Sequence, residues 1–271
     1  MLERELTVAV ELARRAGALV MELYETDVRV AYKQPADPVT LADERSNALI
    51  VRGLAEQFPD DGIVAEESPL DTGGWRRSRC WYVDPLDGTK EFLARNGEFS
   101  VMIGLAIDGE SRLGVVHAPA RDLLYAAVVG EGAWLERGGR RTPLRVASRD
   151  RAESWVLVVS RSHRSARLDA FVRATGIRTE RPSGSVGLKC GLIAEGEADV
   201  YVHPSPRSSK WDACAPEAIV KAAGGFFGDV FGSPFRYDEA EMANVRGILA
   251  CSAAAAPLVR DAARALGVDP T

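Results

Sequence analysis

The chain has 271 residues, of which 46% are hydrophobic and 27% charged, and its formal net charge is −5. This is the balance of a globular protein, long enough to bury about 75% of the surface that its unfolded chain exposes. The chain lacks the basic footprint by which proteins bind nucleic acid, so we expect no nucleic-acid partner. A small anionic substrate is compatible with the acidic charge, because a metal ion can supply positive charge locally.

Two amphipathic helices are predicted at the start of the chain, over residues 3–24 and 41–57, because apolar side chains recur there at helical spacing. Short strands separated by glycine-containing turns follow. They are predicted at residues 63–65, 81–83, 101–107, 113–117, 124–129 and 133–135. Their close succession predicts a largely antiparallel sheet.

A second α/β segment begins at Val156. Strands are predicted at residues 156–160, 199–202 and 247–250, and helices at residues 167–174, 186–195 and 215–223 and after the last strand. The polar, Arg-rich stretch 136–154 is the predicted boundary between two lobes. We therefore divide the chain into an N-terminal α+β lobe, residues 1–150, and a C-terminal α/β lobe, residues 151–271.

The cysteines and the hydropathy pattern concern the compartment. The four cysteines are far apart and form no Cys-x-x-Cys pair, which predicts reduced thiols. We find no signal-peptide pattern and no apolar run of about 18 residues. The expectation is a cytoplasmic protein without a membrane partner.

The most informative motif is D-P-L-D-G-T at residues 84–89, directly after an apolar strand. Pro85 fixes φ and lacks an N–H, so we expect the strand to end there. Asp84 and Asp87 would lie close together and repel each other unless a cation neutralises them. Mg²⁺ suits carboxylates combined with a substrate phosphate, and amides at Gly88 and Thr89 would favour an anion if a helix follows. The alternative is an Asp-rich surface turn.

Three further acidic positions each have two interpretations. Glu66 follows the strand at 63–65, where a charge commonly ends a strand. Thr40 and Asp43 match a capping box that opens the second helix, although Asp43 could cap and also accept a proton. Asp212 lies just before a predicted helix, either as its N-cap or as a metal ligand from the second lobe.

Together these stretches occur in the order and spacing of the inositol monophosphatase superfamily, which the chain resembles over nearly its whole length. Within it, residues 81–104 and 160–163 resemble the CysQ-type 3′(2′),5′-bisphosphate nucleotidases, and residues 210–219 resemble the animal ones. The resemblance implies an α/β (α+β) fold, a layered α-β-α-β-α sandwich of the inositol monophosphatase and fructose-1,6-bisphosphatase type.

The same resemblance implies roles for individual residues. Two or three Mg²⁺ ions are expected, with most ligands in the N-terminal lobe: Glu66, Asp84, the Leu86 carbonyl, Asp87 and, from the C-terminal lobe, Asp212. Thr89, supported by Asp43, would orient and deprotonate the attacking water. The three histidines are scattered, so a histidine-based phosphatase is not expected.

The implied activity is hydrolysis of 3′-phosphoadenosine 5′-phosphate to AMP and phosphate, inhibited by Li⁺. The small phosphorylated substrate would be bound by Gly88, Thr89, Ser160, His163 and Lys189. Lys189 could instead be a helix lysine that extends its ammonium to solvent, and His163 a loop residue. The alternatives are an inositol-1-phosphate or sugar phosphatase and a non-catalytic metal or phosphate binder. Both a monomer and a homodimer are compatible with the sequence.

One stretch departs from the nucleotidase pattern. CysQ-type proteins carry Gly-Ser-Ser-Leu-Lys, whereas residues 183–189 read Ser-Gly-Ser-Val-Gly-Leu-Lys. Aligned on Lys189, Val186 replaces a polar residue. Either Ser185 substitutes for it or the pocket differs.

Overall fold

A computed structural model describes residues 2–26, 30–34, 37–69, 73–161 and 164–267. The predicted substrate contact His163 lies outside these ranges. The helices of the described residues are α1 (Glu3–Tyr24), α2 (Leu41–Gln57), α3 (Thr89–Leu93), α4 (Ala166–Thr175), α5 (Val186–Ala194), α6 (Lys210–Ala222) and α7 (Ala256–Leu266).

A hairpin and a large sheet form the first half. The hairpin pairs β1 (Val30–Gln34) with β2 (Asp37–Thr40). The large sheet consists of β3 (Gly62–Ala65), β4 (Arg79–Asp87), β5 (Ser100–Ile107), β6 (Glu110–Ala118), β7 (Leu123–Val128), β8 (Gly132–Arg137) and β9 (Arg140–Pro143), in that order. Only β3 and β4 pair in parallel, so the predicted antiparallel character is confirmed.

The second sheet is smaller and mixed. It consists of β10 (Val156–Ser160), β11 (Thr179–Ser183), β12 (Val200–His203), β13 (Phe226–Gly228) and β14 (Ile248–Cys251). Its order is β11-β10-β12-β14-β13, with β10 parallel to both neighbours and the remaining pairs antiparallel. The strands of the large sheet come before residue 150 in the chain, and those of the second sheet come after it. The division into two lobes stays a prediction.

The helices form three layers around the two sheets. α1 and α2 pack on the outer face of the seven-stranded sheet, and α4 and α7 flank the outer face of the five-stranded sheet. α5 and α6 fill the space between the sheets and contribute to the core on both sides. This confirms the predicted α-β-α-β-α sandwich.

Close backbone contact seats α6 on the large sheet. A Cβ added to Gly114 of β6 would lie 2.2 Å from the Ala215 carbonyl oxygen, and one added to Gly104 of β5 would lie 2.7 Å from the Ala215 nitrogen. No larger residue fits at either position without moving the helix. These glycines therefore fix the height at which α6 crosses the sheet, and with it the position of the helix start.

The start of α6 differs from the prediction. The helix begins at Lys210, five residues before the expected start, and Pro216 lies inside it. Asp212 is therefore not an N-cap. It is the third helical residue, and its Oδ2 accepts a hydrogen bond from the N–H of the N-cap Ser209 over 2.5 Å. Capping and burial between the sheets outweigh the backbone hydrogen bond that proline cannot make.

Two structural observations concern the predictions about membrane spans and cysteines. None of the described helices has both the length and the apolar character needed to span a membrane. All four cysteines are buried and free, as the sequence predicts.

Candidate active site

A bulge in β4 turns two carboxylates to one side of the sheet. The strand does not end at Pro85 as predicted but continues to Asp87. Asp84 lies opposite Met102 and Asp87 opposite Ser100, so β4 has one residue more than β5 between these pairs. A bulge tolerates the missing N–H of proline. Residues three apart on a regular strand face opposite sides, and the extra residue brings both aspartates to the same side.

Asp212, at the start of α6, completes a cluster with these two aspartates. Ligand oxygens of Asp84, Asp87 and Asp212 all lie within 4.8 Å of one another. Burial, with repulsion from Glu66 and Asp87, raises the pKa of Asp84 well above its ordinary value. Burial, with repulsion from Asp87 and Glu66, does the same for the pKa of Asp212. It is therefore unfavourable for all of these carboxylates to be ionised together. A bound divalent cation would remove this repulsion.

Glu66 follows β3 and lies beside this cluster. Its N–H donates to the Val83 carbonyl over 3.1 Å, which extends the pairing of β3 with β4 up to Asp84. Its charge contributes to the raised pKa of both Asp84 and Asp212. The structure thus brings three of the predicted carboxylate ligands within 4.8 Å of one another, and the fourth, Glu66, follows the strand next to β4.

Thr89 and Asp43 form a hydrogen-bonded pair next to the cluster. Thr89 Oγ1 lies 3.0 Å from Asp43 Oδ1 and 3.3 Å from the Leu86 carbonyl oxygen. Asp43 Oδ2 accepts from the N–H and hydroxyl of Thr40, at 2.7 and 2.6 Å. Burial raises the pKa of Asp43, although hydrogen bonds from Thr40 and Thr89 oppose the rise. The capping role and the pairing with Thr89 coexist, as expected.

Ser185 contacts Asp87, a contact that the sequence does not indicate. It is the N-cap of α5, and its hydroxyl donates to Asp87 Oδ2 over 2.5 Å. The Gly187 N–H donates to the same oxygen over 3.0 Å. Val186 packs against the core between the sheets. The hydroxyl of Ser185 therefore binds a carboxylate of the cluster. Ser185 is thus not a substitute for the polar pocket residue that Val186 replaces.

Lys189 lies inside the protein, one turn further along α5. It is only 4% exposed, so the alternative of a lysine that reaches solvent is wrong. Its ammonium is 5.3 Å from the centre of the Tyr201 ring. Burial lowers the pKa of Lys189, while the charges of Asp87 and Asp212 oppose the fall. Lys189 is thus a buried lysine of the helix layer whose charge interacts with those of Asp87 and Asp212.

Ser160 ends β10 at the edge of this region. It pairs with Ser183, the last residue of β11, and Gly184 follows directly. The predicted substrate contacts Ser160 and Lys189 therefore lie on elements that meet at the start of α5.

Comparison with known proteins identifies the family. The profile of the inositol monophosphatase family matches residues 1–264. The chain belongs to this family. Its relatives include the 3′(2′),5′-bisphosphate nucleotidase CysQ of Escherichia coli K12, 40% identical over 239 residues, 85% of this chain and 93% of that protein. A histidinol-phosphatase of Chlorobaculum parvum is 32% identical over 233 residues, 82% of this chain and 84% of that protein.

Solved structures agree with this assignment. The extragenic suppressor protein SuhB of Bartonella henselae superposes with a TM-score of 0.83 at 28% identity, covering 96% of this chain and 98% of that one. CysQ of Bacteroides thetaiotaomicron, a bacterial member of the same family, has a TM-score of 0.77 at 30% identity, covering 92% and 97%. The layered fold predicted from the resemblance is therefore the fold of the family.

Proposed function

We propose that the chain is a Mg²⁺-dependent phosphomonoesterase that hydrolyses 3′-phosphoadenosine 5′-phosphate to AMP and phosphate. The observation that carries the chemistry is the juxtaposition of Asp84, Asp87 and Asp212 with the hydrogen-bonded pair of Thr89 and Asp43. The 40% identity to the CysQ nucleotidase supports the choice of substrate.

The donor set fits a hard divalent cation. It offers oxygen ligands alone, and neighbouring carboxylates help to raise the pKa of both Asp84 and Asp212, which indicates a site built for compensating positive charge. Two or three Mg²⁺ ions would be held by the residues that the sequence predicts: Glu66, Asp84, the Leu86 carbonyl, Asp87 and Asp212. When bound, such ions neutralise phosphate charge and acidify water.

The chain's own proton acceptors are Thr89 and Asp43. Because Thr89 Oγ1 donates its proton to Asp43, a lone pair of that oxygen can accept a proton from the attacking water. The water oxygen forms the new P–O bond in line with the ester bond. That bond breaks and leaves its electron pair on the 3′-oxygen, which takes a proton from solvent to give the 3′-hydroxyl of AMP. The proton of water passes to Thr89 as the threonine proton passes to Asp43. Burial raises the pKa of Asp43, which makes it a stronger acceptor near neutral pH.

Recognition of the rest of the substrate would fall to other residues. Lys189 supplies a point cation near the cluster for a second phosphate. Ser160 and His163 would contact the nucleotide, with Gly88 and Thr89 at the reacting phosphate. Free, buried cysteines are compatible with the proposed cytoplasmic location.

A second candidate function is hydrolysis of a small monophosphate, such as an inositol, sugar or histidinol phosphate. Two observations favour it: Val186 packs in the core where nucleotidases carry a polar residue, and a histidinol-phosphatase is 32% identical. The two candidates share the metal site and differ only in the pocket.

A phosphate-release panel at fixed Mg²⁺ tests both candidates. It compares 3′-phosphoadenosine 5′-phosphate, inositol 1-phosphate, fructose 1,6-bisphosphate, histidinol phosphate and AMP. We expect the highest kcat/KM for the bisphosphate nucleotide, abolition by EDTA, and inhibition by Li⁺ relative to a Na⁺ control. A higher kcat/KM for a monophosphate would favour the second candidate, and no turnover of any ester would overturn both.

A further inference from the structure

Glu98 is a buried carboxylate outside the cluster on which several donors converge. It lies two residues before β5 and is 6% exposed. Oε1 accepts from Arg121 and Arg161, each at 2.8 Å, and Oε2 accepts from Arg161 at 3.0 Å and from the Gly184 N–H at 2.7 Å. Burial alone would raise the pKa of Glu98, but the bonds from Arg161 and Gly184 hold it below its ordinary value. Glu98 is therefore an ionised group with all its partners in place.

The backbone of Glu98 packs between two turns of the site, one at Gly88 and the other at Gly184. A Cβ added to Gly184 would lie 2.6 Å from the Glu98 carbonyl oxygen and 2.8 Å from Glu98 Cβ. A Cβ added to Gly88, in the D-P-L-D-G-T motif, would lie 3.1 Å from the same carbonyl oxygen. Glu98 thus sets the spacing between the motif and the turn that opens α5.

That turn is strained, and it acts on Asp87. Ser185 has a φ of 52°, a conformation that residues with side chains rarely adopt and that persists only where the surroundings hold it. From this turn the Ser185 hydroxyl and the Gly187 N–H both donate to Asp87 Oδ2. The orientation of the carboxylate therefore depends on how firmly residues 184–187 are held.

We propose that Glu98 is a positioning residue for the metal-dependent reaction. Through its bond to Gly184 it holds the turn at residues 184–187, and through Ser185 and Gly187 it fixes one oxygen of Asp87, which would leave the other to bind a cation. It acts through the turn, without contacting substrate or metal. The inference rests on the metal site of the proposed function. Groups that orient metal ligands commonly change metal affinity about 10- to 100-fold.

The test is a double-mutant cycle on metal binding, independent of turnover. Mn²⁺ is titrated into metal-free Glu98→Gln, Ser185→Ala, the double variant and the wild type, with free Mn²⁺ followed by electron paramagnetic resonance. We expect each single change to raise the Kd about tenfold and the double variant to show little more, because both remove the same support. An unchanged Kd in Glu98→Gln, or a double effect equal to the product of the singles, would overturn the proposal.

Asp199→Asn is the matched control. Asp199 is fully buried and, like Glu98, accepts from an arginine, Arg149, and from a backbone N–H, that of Val156. We expect this change to lower Tm while the Kd for Mn²⁺ stays that of the wild type. An equal rise in Kd would show that Glu98 acts only through general stability. If Glu98→Gln fails to fold, Arg161→Ala takes its place in the cycle.

Kinetics separate this proposal from the proposed function. In Glu98→Gln we expect the Mg²⁺ concentration for half-maximal activity to rise, with KM for the nucleotide unchanged at saturating Mg²⁺. A wild type that binds Mn²⁺ but hydrolyses no phosphate ester would overturn the function and leave the role of Glu98 intact. If the wild type hydrolyses the nucleotide but Glu98→Gln and Asp199→Asn bind Mn²⁺ equally well, the proposed function stands and the role of Glu98 is overturned.

Discussion

Thr89 and Asp43 lie in the first turns of two different helices, yet the hydroxyl of Thr89 donates to Asp43 Oδ1 over 3.0 Å. The other oxygen of Asp43 is held by Thr40, the N-cap of α2. Asp43 therefore cannot rotate away from Thr89 without breaking the cap of its own helix. The capping contact therefore holds the carboxylate of Asp43 in the position that the proposed proton transfer from Thr89 requires.

Replacing Thr89 tests this pair directly. Thr89→Ala should lower kcat for every phosphomonoester that the enzyme hydrolyses, by about 10²- to 10⁴-fold, because the attacking water loses its proton acceptor. Thr89→Ser keeps the hydroxyl and should retain most of the activity. Steady-state kcat and KM on 3′-phosphoadenosine 5′-phosphate and inositol 1-phosphate provide the measurement. Equal activity of the alanine and serine variants would remove Thr89 from the mechanism.

Neutralising Asp84 should separate stability from activity. Burial and the neighbouring carboxylates raise the pKa of Asp84, so its ionised form destabilises the metal-free protein at pH values above its unfolded pKa. Asp84→Asn should therefore raise the Tm of the metal-free protein at pH 7, by about 2–4 °C for each kcal/mol gained. The gain should vanish near pH 3, where the wild-type carboxyl is largely protonated in both states.

The same variant should lose Mg²⁺-dependent phosphate release. Thermal unfolding in EDTA at pH 7 and about pH 3, together with turnover at saturating Mg²⁺, gives both halves of the prediction. A metal-free Asp84→Asn protein less stable than the wild type at pH 7, or one with normal turnover, would contradict the assignment of Asp84 to a metal site.

Lys189 should discriminate between substrates. Lys189→Met keeps much of the buried volume and removes the ammonium whose charge interacts with Asp87 and Asp212. A lost charge-assisted contact costs about 1.5–3 kcal/mol, so kcat/KM for 3′-phosphoadenosine 5′-phosphate should fall roughly tenfold to over a hundredfold. Inositol 1-phosphate, which carries no second phosphate, should be affected little. Equal losses on both substrates would instead assign Lys189 to the carboxylate cluster.

His117 should make the protein sensitive to mild acid. Its Nδ1 lies 2.9 Å from the Ala13 carbonyl oxygen, and burial lowers its pKa. The folded state thus prefers the neutral ring, and its contribution to stability is complete above the unfolded pKa of about 6.5. That contribution is lost as the pH falls from there towards the folded pKa, with a slope of up to about 1.4 kcal/mol per pH unit.

His117→Asn provides the comparison, because its amide can donate to Ala13 without titrating in this range. Urea unfolding at pH 7.5, 6.5 and 5.5 should show a smaller loss of stability in the variant than in the wild type. Parallel curves for the two proteins would mean that the acid sensitivity arises elsewhere.

The sequence was most informative where structure depends on neighbours in the chain. The capping box of Thr40 and Asp43 is a local pattern and is present as predicted, and the D-P-L-D-G-T motif spans the end of a strand of the large sheet. The strand end at Pro85 was predicted wrongly, because a bulge is defined by the register with β5 and has no signal of its own. The predicted start of α6 is also too late. The helix continues through Pro216 because packing between the sheets accommodates the proline, and a local pattern does not show this packing.

The sequence alone does not predict the short or exposed strands, or the long-range contacts. Strand β9 is polar and exposed along its length, and β11 contains a proline, so neither shows the alternation typical of a strand. Glu98 gives the clearest case among side chains. Its donors lie 23, 63 and 86 residues away in the chain, and no local pattern marks it.

Both helices of the middle layer begin at the carboxylate cluster, α5 beside Asp87 and α6 with Asp212 in its first turn. The aligned peptide dipoles of a helix place roughly half a positive charge at its N-terminus. Two such ends offset part of the repulsion among the aspartates whether or not a cation is bound. The helices of the middle layer thus supply positive charge that cannot dissociate, and this charge helps to hold the acidic cluster together even without a bound metal ion.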